Sequence, residues 1–141
     1  MKLKFLSFAL LAAGQLAFGQ SGPGTVKTES IRYTVDGQEL VGLLAYDASS
    51  TAPRPGVLVV HEWLGINDYA KQRAVDLANE GYVAFALDMY GDGREIPMAE
   101  ARTMSGKVGS DFPLVKKRFN AALDVLKKAR FVEADKIAAI G

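Results

Sequence analysis

The sequence predicts an α/β fold: a doubly wound, mostly parallel sheet led in by an antiparallel hairpin. Three observations point there. "GVLVV" (56–60) and "YVAFALD" (82–88) are unbroken apolar runs of the kind found in strands buried on both faces. A segment of helical period separates them, so the three pieces form a βαβ unit. Upstream, the apolar–polar alternation of "ESIRYTVDGQELVGLLAYD" (29–47) turns about Asp36-Gly37, a dipeptide that tolerates positive φ at both positions.

The N-terminus, "MKLKFLSFALLAAGQLAFGQ", has Lys2 and Lys4, an apolar stretch over 5–13, and small residues at Ala17 and Gly19. That order predicts a secretory signal peptide over 1–19 and an exported protein, periplasmic or secreted. The apolar stretch is short of the roughly 20 residues a spanning helix needs, so no membrane association is expected after its removal. The full chain has 17 Lys and Arg against 16 Asp and Glu; without Lys2 and Lys4 the balance is 15 to 16, or −1. No basic patch is present to hold phosphates, which argues against nucleic acid as a partner. With no cysteine in the sequence, stability must come from packing rather than from disulfides.

Residues 20–141 read as one unit. "QSGPGT" is a flexible start, and the hairpin follows. "ASSTAPRPG" (48–56) is a loop, because Pro53 and Pro55 cannot donate to a ladder. After the first buried strand, a helix is predicted over 68–80, capped by Asn67 and stopped at Gly81. Ala70, Ala74, Leu77 and Ala78 share one face of it, small enough to let the helix lie close to the sheet. Further helices are predicted over 97–107 and 113–130. In the second, Val115, Phe119, Ala122, Leu123 and Leu126 form an apolar stripe, with Lys116, Lys117, Lys127 and Lys128 outside it. "KIAAI" (136–140) reads as a third parallel strand, and the fold is expected to be incomplete at the C-terminus.

A parallel strand that runs into a glycine, as here at Gly141, opens two kinds of site. One is the dinucleotide fingerprint G-x-G-x-x-G; the other is the nucleophile elbow G-x-[Ser or Cys]-x-G. A dinucleotide fingerprint usually follows the first strand, whereas a hairpin and a βαβ unit precede Gly141. That order suits the elbow.

"PRPGVLVVHEWLGINDYAKQRAVDLANEGYVAFALDMYGDG" (53–93), with its H-E-x-x-G after one buried strand and D-x-Y-G after the next, resembles the dienelactone hydrolase family. The resemblance runs over 31–141 and implies an α/β-hydrolase fold with a cysteine nucleophile, acting on small carboxylic esters or lactones without a cofactor. It also implies that the elbow begins at Gly141. Nucleophile, acid and histidine follow in that chain order in this fold, so all three are expected beyond the residues at hand. The 141 residues alone are expected to be inactive and to aggregate. The alternative is a noncatalytic remnant of the same fold that binds a small molecule or a partner.

The resemblance implies that Glu62 contacts the nucleophilic thiol and keeps it protonated until substrate arrives. A carboxylate beside a thiol disfavours the thiolate by like-charge repulsion. The backbone N–H of Trp63 is the expected oxyanion donor, since the fold draws one from this loop. Tyr90 and Arg94, at the same sheet edge, are candidates to hold a substrate carboxylate. His61, ahead of the nucleophile, is expected to be structural, its ring bonded to nearby backbone. Asp88 reads as a turn cap, and Gly91-x-Gly93 as a flexible turn rather than a phosphate loop. With no second histidine and no cysteine, no metal is expected.

Overall fold

The computed structural model describes residues 25–141; the leader expected over 1–19 lies outside the described residues. β1 (Val26–Val35) and β2 (Gln38–Asp47) pair antiparallel from Val26 opposite Asp47 to Val35 opposite Gln38. Between them Asp36 and Gly37 have φ of 50° and 80°, the primed-turn geometry that matches strand twist. There follow β3 (Arg54–Val60), α1 (Asp68–Asn79), β4 (Val83–Leu87), α2 (Met98–Gly109), α3 (Phe112–Lys128) and β5 (Val132–Ile140).

The five strands form one sheet in the order β1-β2-β4-β3-β5. β3 pairs parallel with β4 on one side and with β5 on the other, while β2 joins β4 antiparallel. The sheet is therefore mixed: a parallel trio extended by the hairpin. β3 lies between two parallel neighbours, as its continuous β-branched run requires. It begins at Arg54, so Arg54 and Pro55 belong to the strand and not to the preceding loop. The Arg54 N–H donates to the Phe131 carbonyl at 2.7 Å. Pro55 adjoins the point where the β3–β5 register shifts, a position where a missing N–H interrupts no regular ladder.

Helices cover both faces, and the alternation along β4 divides the core in two. Val83, Phe85 and Leu87 pack with Leu58, Ala122 and Leu126 on the α2–α3 side. Ala84 and Ala86 pack with Ala45, Val59, Ala74 and Ala78 on the α1 side. The buried core of that second layer is mostly alanine, with Val59 and Ile66, which brings α1 close to the sheet. Large side chains do the filling on the first, where complete burial of a Phe or Leu contributes about 1.5–3 kcal/mol each. Asn67 caps α1 by accepting from the Ala70 N–H at 3.0 Å. Asp111 caps α3 in the same way, accepting from Leu114 at 3.0 Å, with Pro113 in the first turn. No helix among the described residues is long and apolar enough to cross a membrane.

Candidate active site

β3 leaves the sheet at Val60, and the next three residues turn over the end of β4. His61 is buried at 8 % exposure. The Met89 N–H donates to its Nε2 at 3.1 Å, so the ring proton sits on Nδ1, 2.6 Å from the Glu62 carbonyl that accepts it. Burial pushes the imidazole below its ordinary pKa, and the bond to Glu62 and the nearby Asp88 only partly offset this. The ring meets Tyr90 edge-on, with centroids 4.6 Å apart. His61 is thus a neutral imidazole bonded through both nitrogens to backbone, the structural role expected from its position.

The loop beyond it is closed on itself and on a neighbour. The Gly65 N–H donates to the Glu62 carbonyl at 3.2 Å, and Ile66 and Ile96 exchange backbone bonds with Arg94 and Leu64 at 3.2 and 2.7 Å. Gly65 has φ of 79°, and a Cβ there would lie 2.6 Å from the Arg94 carbonyl; both facts demand glycine. Glu62 and Trp63 are left exposed at the apex. The Tyr90 hydroxyl donates to the Trp63 carbonyl at 3.2 Å. Among the described residues, no hydrogen bond uses the Trp63 N–H.

Asp88, 1 % exposed, holds the floor of this arrangement. One carboxylate oxygen accepts the N–H groups of Tyr90 and Gly91, both at 2.8 Å; the other accepts those of Gly93 at 2.8 Å and Val41 at 3.1 Å. The turn-capping reading of Asp88 is therefore correct. The turn through Gly91 and Gly93, read from sequence as flexible, is tied to this carboxylate by three of its N–H groups. Three successive residues of positive φ, Gly91, Asp92 and Gly93, wrap the chain around it.

A cavity of about 220 Å³ opens at the C-terminal ends of β3 and β5. His61 and Glu62 line one side, Gly141 the second, and Tyr69 and Arg73 of α1 the third. Gly141 abuts β3 so closely that a Cβ would come 2.9 Å from Val60 Cβ. Glu62, Arg73 and a glycine at the end of a parallel strand thus share one concavity, at the sheet edge where open α/β sheets bind ligands. Trp63, Tyr90 and Arg94 do not line it. Trp63 stands beside it on the loop, Tyr90 is buried beneath the loop, and Arg94 has an exposed side chain while its carbonyl anchors Ile66. Among the described residues no group of three His, Cys, Asp or Glu side chains converges to hold a metal.

Two groups escaped the sequence reading. Tyr69 and Arg73 sit one turn apart at the start of α1, off the alanine face; the spacing was visible, but nothing marked that helix end as a cavity wall. Arg118 is buried at 4 % exposure and bonds to the Met89 and Tyr90 carbonyls. Its signal was periodicity: Arg118, Ala122 and Leu126 recur every four residues and are the buried positions of α3.

The model of the dienelactone hydrolase family matches residues 41–141. "Protein usf" of Aquifex pyrophilus is 31 % identical over 105 residues, 72 % of this chain and 46 % of that one. A Bradyrhizobium protein named "Probable 2-oxo-3-(5-oxofuran-2-ylidene)propanoate lactonase" is 33 % identical over 92 residues, 64 % of this chain and 37 % of its own. Among solved structures, a dienelactone hydrolase-like promiscuous phosphotriesterase from metagenomic libraries superposes with a TM-score of 0.79 at 36 % identity. It is matched over 84 % of this chain and 49 % of its own. A second structure, m3DLH, gives 0.78 at 40 % identity over 84 % and 50 %. The chain thus spans about half the length of these relatives or less.

Proposed function

The chain belongs to the dienelactone hydrolase family, and from that membership and the cavity beside Glu62 we propose a hydrolase of small carboxylic esters or lactones. The observation that carries this reading is the meeting of Glu62, from the end of β3, with Gly141, from the end of β5, in one cavity. Hydrolysis of an acyl bond needs a nucleophile, a restraint on it, and donors for the developing oxyanion. In this proposal Glu62 supplies the restraint. Two like charges about 4 Å apart repel by about 4 kcal/mol at an effective dielectric near 20, or roughly three pKa units. A thiol held beside the carboxylate therefore stays protonated until substrate separates the two.

The Trp63 N–H, with no acceptor among the described residues, is the proposed oxyanion donor. Tyr90 supports it from below through the Trp63 carbonyl, and Arg94, exposed on the neighbouring loop and outside the cavity lining, is the proposed partner for a substrate carboxylate. His61 is not the base, because accepting a proton at Nε2 would break the bond from Met89. The described residues lining the cavity include no Ser, Thr or Cys, so in this reading the attacking group is brought to the Gly141 side from outside them. Export is part of the proposal and rests on the leader pattern of residues 1–19; cell fractionation with a C-terminal tag tests it.

Assays with an aryl acetate and with an unsaturated lactone test the activity. The product of the full coding sequence is expected to turn over at least one of them, and the 141-residue polypeptide alone neither. Saturable binding of ester or lactone by the full product without turnover would instead support the noncatalytic reading.

A further inference from the structure

Arg118 lies on α3, an element that lends no residue to the Glu62 cavity. Yet its guanidinium reaches the segment that supports the catalytic loop. Nη1 donates to the Met89 carbonyl and, at 3.5 Å, to that of Tyr90; Nη2 donates to Gln38 Oε1 at 2.5 Å. Gln38 closes the ring of bonds by donating to the Tyr90 carbonyl at 3.0 Å. Each of these two backbone residues also grips the loop. Met89 holds His61 through its N–H, and Tyr90 holds the Trp63 carbonyl through its hydroxyl.

Packing alone does not explain this arginine. Every acceptor it uses is neutral, and its Nε is buried without a partner among the described residues. A methionine would fill the same place in the stripe without the cost of desolvating a charge. A buried guanidinium whose bonds go to two successive backbone carbonyls and to Gln38 holds that backbone in place. We infer that Arg118 is a positioning residue for the 61–63 loop, fixing the Met89–Tyr90 backbone and, through it, the His61 ring and the Trp63 carbonyl. Its bearing on hydrolysis rests on the function proposed above; its hold on the loop does not.

The test reads the loop directly, by NMR, in the protein expressed from its full coding sequence. In the wild type the His61 ring ¹⁵N signals are those of an Nδ1–H tautomer with Nε2 accepting, and the Met89 amide is protected from exchange. Arg118→Met is expected to blur that tautomer and to speed Met89 exchange about tenfold, while the β4 amides keep their protection. Arg118→Lys, which offers one ammonium where the fork made several bonds, is expected to fall between. A folded Arg118→Met protein with wild-type His61 and Met89 signals overturns the inference. Should that variant fail to fold, Arg118→Lys decides: unchanged His61 and Met89 signals in it overturn the inference equally. None of these signals requires turnover, so failure of the hydrolase reading and failure of this one are separable.

Discussion

Asp88 and His61 show what single residues contribute at this sheet edge. Asp88 gathers four backbone N–H groups on one buried carboxylate, and its removal would leave all four without an acceptor. Asp88→Ala is expected to cost about 3–5 kcal/mol in urea unfolding, near the top of the range for point substitutions. A loss within the surface-substitution range would mean that the turn does not depend on it. His61 gives a pH dependence whose sign follows from its burial. Its folded-state pKa lies below the ordinary value of 6.5, so between the two the unfolded chain binds the proton and the folded chain does not. Stability therefore falls as pH drops through about 6.5 and levels off below the folded value. Unfolding midpoints between about pH 7.5 and 5.5, before most carboxylates titrate, are expected to decline in the wild type and less in His61→Gln. Equal slopes would contradict the assignment. Both residues were legible in the sequence as structural, because each stands where a strand ends and backbone donors go unpaired.

At the scale of elements, the sequence spoke most clearly where one period ran uninterrupted. The hairpin, the capped alanine face of α1 and the stripe of α3 formed because each segment's period matches the surface it covers, and the strand at "KIAAI" formed within a longer one from Val132, although Ala138, Ala139 and Ile140 stay exposed. Boundaries moved by a residue or two at most helix ends, and β3 gained Arg54 and Pro55 from the loop before it. That gain could not be read from propensity, since it depends on a bulge opposite β5. Gly42 is the opposite case, a glycine inside β2 that propensity disfavours. A Cβ there would lie 2.3 Å from the Phe85 ring and 2.7 Å from the Ala86 carbonyl. Gly42→Ala is therefore expected to destabilise by about 1–3 kcal/mol, through displacement of Phe85 and strain on the β2–β4 ladder. An Ala variant as stable as wild type, measured by thermal or urea unfolding, would show that the sheet absorbs the methyl group freely.

The molecule as a whole assembles its cavity from segments far apart in sequence: the end of β3, the first turns of α1 and the end of β5. The topology that unites them was legible, because three apolar runs separated by helices leave few ways to build a right-handed parallel sheet. The walls were less so. Glu62 was identified through the motif that contains it, whereas Tyr69 and Arg73 look like ordinary exposed residues until α1 is docked. Tyr90 shows the converse: the sequence put it at the right edge, but the fold turned its hydroxyl toward the loop backbone. The central claim is that Glu62 acts on the reacting group at this edge. Its most direct test is the kcat/KM for ester or lactone hydrolysis by the full product carrying Glu62→Gln, which keeps the shape and removes the charge. Removing the like charge favours the thiolate, so kcat/KM near pH 6 is expected to rise by about 10-fold or more, with unfolding unchanged, because Glu62 is exposed. A Gln variant with the wild-type rate would contradict the account.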